Sequence, residues 1–534
     1  MKKNSMTRRG FLAGTAATGA LAALALSGCG GGGEDEPAGE GGEGAAEPTL
    51  LSVARAYSST SYSPIDLNGG SALMMAATFH VFDGLYNLDL TDYSVYPGLA
   101  DGEPVKVSET QYEVALRAGA KFSNGADVTV DDVINAFNVN MSPETAGTCS
   151  PFLSFIDSVE AGEGKVIFNL KYPYESGLKG RLALVKIFPA AEQANLATMP
   201  IGSGPWAYKT INGDDGGLIE FVPNANYAGE TPATADAMNW LPMKSDAIAR
   251  VTALQEGSVQ IADEIPAANA AQLTNAGAAV EYVQGFKQPF FMFNCKKAPF
   301  NDKRVRQAFF YAIDVEKLIA NQMDGYATPL TSFLYEGHPN YNKAATVYTY
   351  DPEKAKGLLK EAGVAEGFAV EMYCNNNWVA DLSAQIKNDL DAIGLNVTIR
   401  EEAIDWASLA ESDAELPYDF MLTPGDPGCF GNDPDLWMSW WYADNVWTQG
   451  RSCWKHAGDG KWEEFQGLLQ AARQATGAEQ QGLWNQCYDM LAEEVPLYAL
   501  FHCMQSTGYR PDLVENFVPI GTNTTVVLGA TPIA

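Results

Sequence analysis

Strand-like and helix-like segments alternate along most of this chain, and that alternation limits the folds open to it. Leu50 to Ala56, Gln111 to Arg117 and Lys165 to Leu170 read as strands from their apolar and β-branched patterning. Between and after them lie helices with explicit start and stop signals. Thr129 is a candidate N-cap followed by Asp131 and Asp132, which suit the positive end of a helix. Asp246 to Gly257 is a helix pattern ended by glycine, followed by a short strand at 259–261. Asp302 to Ala320 reads as one long helix, with Val305, Ala308, Phe309, Ala312 and Ile313 on one face. Pro352 sits at the first position of a helix closed by Gly363, and 383–393 repeats the pattern before a strand at 395–400. Strands also fall at 368–373 and 418–422. Such β–α alternation predicts α/β lobes with partly parallel sheets. The 534 residues are enough for two or more cores. No internal repeat is visible.

The first 29 residues read as an address. Lys2, Lys3, Arg8 and Arg9 form a basic head, Phe11 to Leu26 is apolar and free of acidic residues, and Cys29 ends the run. That is too short for a spanning helix and fits an export signal. Thr7-Arg8-Arg9-Gly10-Phe11-Leu12 resembles the twin-arginine motif, and Leu26-Ser27-Gly28-Cys29 resembles a bacterial lipobox. The expectation is a signal peptide over 1–28, acylated Cys29, and a flexible Gly/Glu-rich tether over 29–48. The folded body would then sit outside the cytoplasmic membrane on a lipid anchor.

Charge narrows the partners. The chain carries 34 basic and 66 acidic residues. The only basic residues before position 29 are the four named above, so the body keeps 30 against 66. Such a surface repels nucleic acid and anionic headgroups, which excludes nucleic acid as a partner.

Few motifs for chemistry are present. Beyond Cys29 there are seven cysteines and no C-x-x-C; Cys429 and Cys453 flank one loop-like stretch and are the first choice for a disulfide. His80, His338, His456 and His502 never fall three or four apart, so a helical metal pair is absent. H-E-x-x-H, G-x-S-x-G and the P-loop pattern are missing. The expectation is a non-enzyme without metal or cofactor.

Several segments then carry a family resemblance. Val81-Phe82-Asp83-Gly84-Leu85, Pro97-Gly98-Leu99-Ala100 and the run from Leu116 to Gly125 match an ordered set of signatures. Gly202-Ser203-Gly204-Pro205-Trp206, Arg250 to Gly257 and Asp302 to Asp314 continue it. Together, from about residue 50 to 505, the chain resembles extracellular solute-binding protein family 5, the peptide- and nickel-type lipoproteins of ABC importers. The resemblance implies the two-lobed periplasmic-binding-protein fold of type II. Lobe I would hold 49–280 plus 500–534, with an extra subdomain at 76–199, and lobe II 281–499. Ligand would bind in the cleft, and a monomer would offer it to permease subunits.

Three stretches supply candidate ligand contacts. Thr423 to Trp454 follows a strand's C-terminal end, where α/β sheets bind ligands, and holds five tryptophans. The resemblance points to an Asp here that holds a peptide's amino group, and alignment to the strand favours Asp426. Trp437 and Trp440 are the candidate ligand-facing aromatics. Asn377 and Trp378 follow the strand at 368–373, and Asn amides both donate and accept. Tyr57, Ser58 and Ser59 follow the first strand and could pair with an extended peptide. Gly204 belongs to a tight turn near the lobe crossing. Short peptides are the expected ligand; an oligosaccharide, a metal chelate or another metabolite, or peptide sensing without transport, are the alternatives. Arg250, Arg304 and Arg306 are expected to be framework.

Overall fold

The structure, a computed structural model, describes residues 48–65, 72–142, 149–375, 377–406, 408–410 and 415–533. The expected export signal, Cys29 and nearly all of the tether lie outside the described residues.

Leu50–Arg55 lies inside an eight-stranded sheet. It runs parallel to Ala237–Pro242 on one side and Ile261–Asp263 on the other. All of its residues except Leu50 are buried, as expected for a strand covered on both faces. Beyond Ile261–Asp263 come Phe501–Tyr509 and Ala279–Gln284, both antiparallel. Beyond Ala237–Pro242 come Ile219–Pro223 and Trp206–Ile211.

A second sheet has the order Leu395–Glu402, Phe368–Asn375, Phe420–Gly425, Gln288–Phe293, Leu497–Ala499. Its first three strands are parallel and its last two antiparallel to their neighbours. Gln288–Phe293 is buried throughout; Phe291 and Phe293 pack edge-on against Phe309 of the helix Lys303–Ala312. A third, antiparallel sheet of four strands (105–108, 111–115, 165–170, 156–162) is covered by the helix Val130–Met141. Thr129 caps that helix in a capping box with Asp132, and Phe137 meets Phe168 edge-on at 4.9 Å.

The chain leaves the first sheet after Gln284, enters the second at Gln288, and returns through Leu500. The two crossings run side by side: Leu500 N–H donates to Pro289 O (3.0 Å) and Cys503 N–H to Lys287 O (2.7 Å). Gly285 is required at the first crossing. A Cβ there would lie 1.5 Å from the Gly521 carbonyl oxygen. Ala327–Pro329, although it comes from between the crossings, pairs with Phe501–Cys503 of the first sheet.

Two expectations change in detail. The long helix at 302–320 is two helices, Lys303–Ala312 and Val315–Gln322. Ile313 is extended, and the Asp314 side chain accepts from Lys317 N–H to start the second helix, so a local cap overrides the apolar periodicity. The strand at 259–261 falls at Ile261–Asp263, because Val259 still belongs to the glycine-terminated turn after Glu256. The arginines hold backbone: Arg250 donates to the carbonyls of Met243, Asp263 and Glu264, and Arg306 to those of Phe300 and Glu494.

Candidate functional site

Loops from both sheets close around one cavity of about 390 Å³. The first-sheet side supplies Tyr57, just past the strand Leu50–Arg55, and Asn523 and Thr524 from the C-terminal segment. Ala72 and Met75 come from the helix Ala72–Val81, and Pro151 from the short helical turn Ser150–Phe152. The second-sheet side supplies Asn377 and Trp378, Trp406, and Pro424 to Asp426 at the end of Phe420–Gly425. Trp440 and Trp441 come from the helix Pro434–Tyr442, and Trp447 and Arg451 from the turn that follows. Lys287 enters from the crossing itself.

That turn, Trp447–Arg451, is a single π-helical turn, closed by Ser452 N–H donating to Trp447 O at 2.8 Å. Such turns are rare and recur at functional sites. This one stacks the Arg451 guanidinium over the Trp447 ring, 4.2 Å from its centroid, and places it 4.5 Å from that of Trp406. The Tyr418 hydroxyl donates to Arg451 O at 2.6 Å and pins the turn to the second sheet.

The other charges in the wall make hydrogen bonds or ion pairs within the protein. Lys287 Nζ reaches Glu264 Oε1 at 2.5 Å and lies 5.3 Å over the Trp378 ring. The Tyr57 hydroxyl donates to the same Glu264 oxygen. Burial raises the Glu264 carboxyl, but the Lys287 charge and these hydrogen bonds outweigh it and hold the carboxyl below its ordinary value. Asp426 Oδ2 accepts from Thr522 Oγ1 (2.9 Å) and Asn523 N–H (2.8 Å), and Oδ1 from Gly428 N–H (3.0 Å). Burial nevertheless raises its carboxyl above the ordinary value. Asp426 thus ties the end of a second-sheet strand to the segment that follows the first sheet.

Of the residues expected to meet ligand, Tyr57, Asn377, Trp378, Asp426 and Trp440 line the cavity. Trp437, Ser58, Ser59 and Gly204 do not. Trp437 turns away to stack on Phe286 at 3.9 Å and donates to Gly431 O. Ser59 is buried in its own turn, its Oγ donating to Ser61 O and its N–H to Gly213 O. Ser58, beside it, is half-buried away from the cavity. Gly204 packs against the end of the helix Ala72–Val81, donating to Val81 O; a Cβ there would lie 2.7 Å from His80 O. Arg451, Lys287 and Asn523 are lining residues the sequence reading did not select.

Cys429 lines the cavity as a free thiol that burial raises above its ordinary value. The expected Cys429–Cys453 disulfide is not formed, and all seven described cysteines are free. Cys453 belongs to the turn at Ser452, whose carbonyl accepts from Cys295 N–H. Among the described residues no group of three His, Cys, Asp or Glu is placed to hold a metal, and no helix is long and apolar enough to cross a membrane.

Residues 94–455 match the family of bacterial extracellular solute-binding proteins, family 5 middle, and the chain belongs to that family. Family members bind substrate in a two-lobed α/β fold. The chain is 29% identical over 340 residues to the glutathione-binding protein GsiB of Salmonella choleraesuis (strain SC-B67), covering 62% of this chain and 65% of that one. Its fold is similar to that of the dipeptide-binding protein of Pseudoalteromonas sp. SM9913 in complex with Met-Leu (TM-score 0.77, 21% identity, 91% of this chain and 100% of that one). NikZ from Campylobacter jejuni, in complex with Ni(L-His), has a TM-score of 0.76 at 21% identity, with 90% and 99% covered.

Proposed function

We propose that this protein captures a short peptide or peptide-like solute in the cavity and delivers it to the permease of an ABC importer. The observation that carries this is the cavity itself: about 390 Å³, walled by loops of both sheets, with three charged side chains and several indoles facing in. Its size lies in the range of roughly 300–1,000 Å³ usual for small-molecule sites. The glutathione-binding relative and the Met-Leu complex support a peptide-like solute. In this reading the crossings at 285–287 and 500 are the hinge, with lobe I at 49–280 plus 500–534 and lobe II at 281–499. Asp426 orients the solute's amino group, and Asn377 supplies an amide. The protein binds without catalysis, as a monomer on the outer face of the cytoplasmic membrane, held by acylated Cys29.

Trp440 and Trp447 line the cavity, so their fluorescence is expected to respond to its occupancy and gives a direct assay. Titration with Met-Leu, Ala-Ala and glutathione is expected to change the emission saturably. Asp426→Asn, which leaves one carbonyl oxygen where two carboxylate oxygens accept three hydrogen bonds, is expected to weaken binding about tenfold or more. Native mass spectrometry of protein purified from rich medium is the complementary test. Short-peptide adducts would support the proposal; a sugar or metal chelate as the retained mass would replace the peptide while keeping solute capture. Turnover of a bound peptide would overturn binding without catalysis.

A further inference from the structure

One carboxylate, that of Asp435, divides its two oxygens between separate parts of the chain. Oδ1 accepts from Arg473 Nε at 2.8 Å and from Ser439 Oγ at 3.1 Å, both from the stretch between the two crossings, where Asp435 itself lies. Oδ2 takes Arg181 Nη2 at 2.5 Å and the Tyr174 hydroxyl at 2.8 Å, both from the stretch before the first crossing. Arg181 Nε donates to that same hydroxyl at 3.0 Å. Nearby, Gln480 Nε2 donates to Ser176 Oγ at 3.3 Å, again from one stretch to the other. Arg181 is 2% exposed and Asp435 3%. Among the described residues, Asp435 is the one acidic group within ion-pair distance of Arg181.

A buried ion pair that is never broken adds little net stability, because desolvation offsets its attraction. It gains a use where its two charges part and meet again. Apart, Arg181 is hydrated and Asp435 keeps Arg473, so neither charge is stranded. Together, out of water, they attract strongly. None of Tyr174, Arg181, Asp435 and Arg473 lines the cavity, yet the junction is joined to its wall. The Arg181 guanidinium lies 5.5 Å over the Phe152 ring. That ring packs on Phe430 at 5.0 Å and on Trp440 at 5.7 Å, and both of these line the cavity. Phe152 and its two partners come from opposite sides of the first crossing. Seating Phe152 on them therefore brings Arg181 to Asp435.

We propose that Arg181 and Tyr174, closing on Asp435, form a latch between the lobes that holds the solute-loaded form shut and sets how long a solute stays. The inference rests on the reading of the crossings as a hinge and adds the device that governs its closed state. Because the latch touches no solute, it changes retention by one common factor for every solute, whatever contacts the cavity makes.

The test uses the full chain with Met-Leu and glutathione, with release followed by stopped-flow tryptophan emission and closure by small-angle X-ray scattering. The radius of gyration of the unsubstituted protein is expected to fall when Met-Leu binds. Arg181→Met, of similar length but without charge, is expected to release both solutes about tenfold or more faster, by the same factor, with association nearly unchanged. Arg181→Lys, which keeps the charge, is expected to recover part of the loss. The urea midpoint of the solute-free protein is expected to stay the same in Arg181→Met, which a framework arginine would not allow. Unchanged release, a loss confined to one solute, or a lowered solute-free midpoint would each overturn the latch. Binding without compaction in the unsubstituted protein would overturn the hinge reading, and the latch with it. If neither probe bound, the mass retained from rich medium takes their place: Arg181→Met is expected to lose it, and equal retention would overturn the latch. A protein that retained nothing and bound neither probe would overturn solute capture itself, and the latch with it.

Discussion

His502 is buried with neither ring nitrogen hydrogen-bonded, beside Phe286 and Tyr335. Burial lowers its pKa to about 3, against about 6.5 in the unfolded chain. The unfolded state therefore takes up a proton between those values while the folded state does not. Stability from this residue is complete above pH 6.5 and falls as the pH drops toward 3, at up to about 1.4 kcal/mol per pH unit. His502→Phe removes the orphaned nitrogens and keeps a ring. It is expected to raise the melting temperature, by more at pH 5 than at pH 7.5, and thermal unfolding at the two values checks this.

Side-chain direction is also where the sequence reading reached its limit. Trp437 and Trp440 stand three apart on one helix, yet one packs into the core against Phe286 and the other lines the cavity. Composition flagged the tryptophans, but the phase of the helix against its sheet decides which of them faces in, and that phase is tertiary. Asp426 was legible because it ends a strand that could be recognised. Arg451 was not, because a π-helical turn is not encoded by any period the eye can follow. Lys287 falls between two strands, where only the crossing gives it a place.

At the scale of elements, the helix Glu175–Leu182 is joined to the helices Pro434–Tyr442 and Lys461–Gln474 by a buried ionic network. Asp435 receives Arg181 (2.5 Å), Arg473 (2.8 Å) and the Tyr174 hydroxyl (2.8 Å). Burial raises the Asp435 carboxyl, but the Arg473 and Arg181 charges outweigh it and hold the carboxyl well below the carboxylate range. Its stabilisation is present above the unfolded pKa near 4 and is lost as pH falls below that. Asp435→Asn leaves two guanidiniums underpaired and is expected to cost about 3–5 kcal/mol in urea unfolding at pH 7. Replacing Arg181, Asp435 and Arg473 together with apolar residues of similar volume is expected to cost far less. Segment types were legible at this scale because caps such as Thr129 and Pro352 are local. The break at Ile313 was missed because the apolar stripe runs through it.

For the molecule as a whole, both lobes of the α/β fold were legible, because ordered signatures run through most of the chain. Which backbones touch was not legible. Gly285 and Gly521 press against each other where the chain crosses between sheets. Gly285→Ala would set a methyl group against the Gly521 carbonyl, and the variant is expected to melt at a lower temperature and to lose most of the solute-induced change in tryptophan emission. Unchanged values of both would show that the crossing is slack.

The place of Phe501–Tyr509 in the first sheet also governs timing. Among the described residues, Ala279–Gln284 pairs with no other strand, and Ile261–Asp263 has only Leu50–Arg55 on its other side. A ribosome adding about 5–20 residues per second needs tens of seconds to travel from the first strand to this late one. Throughout that interval the nascent sheet carries an open edge, the kind of surface that recruits other chains. Asn523 and Thr524 emerge later still, so the cavity cannot close until the ribosome has passed both sheets.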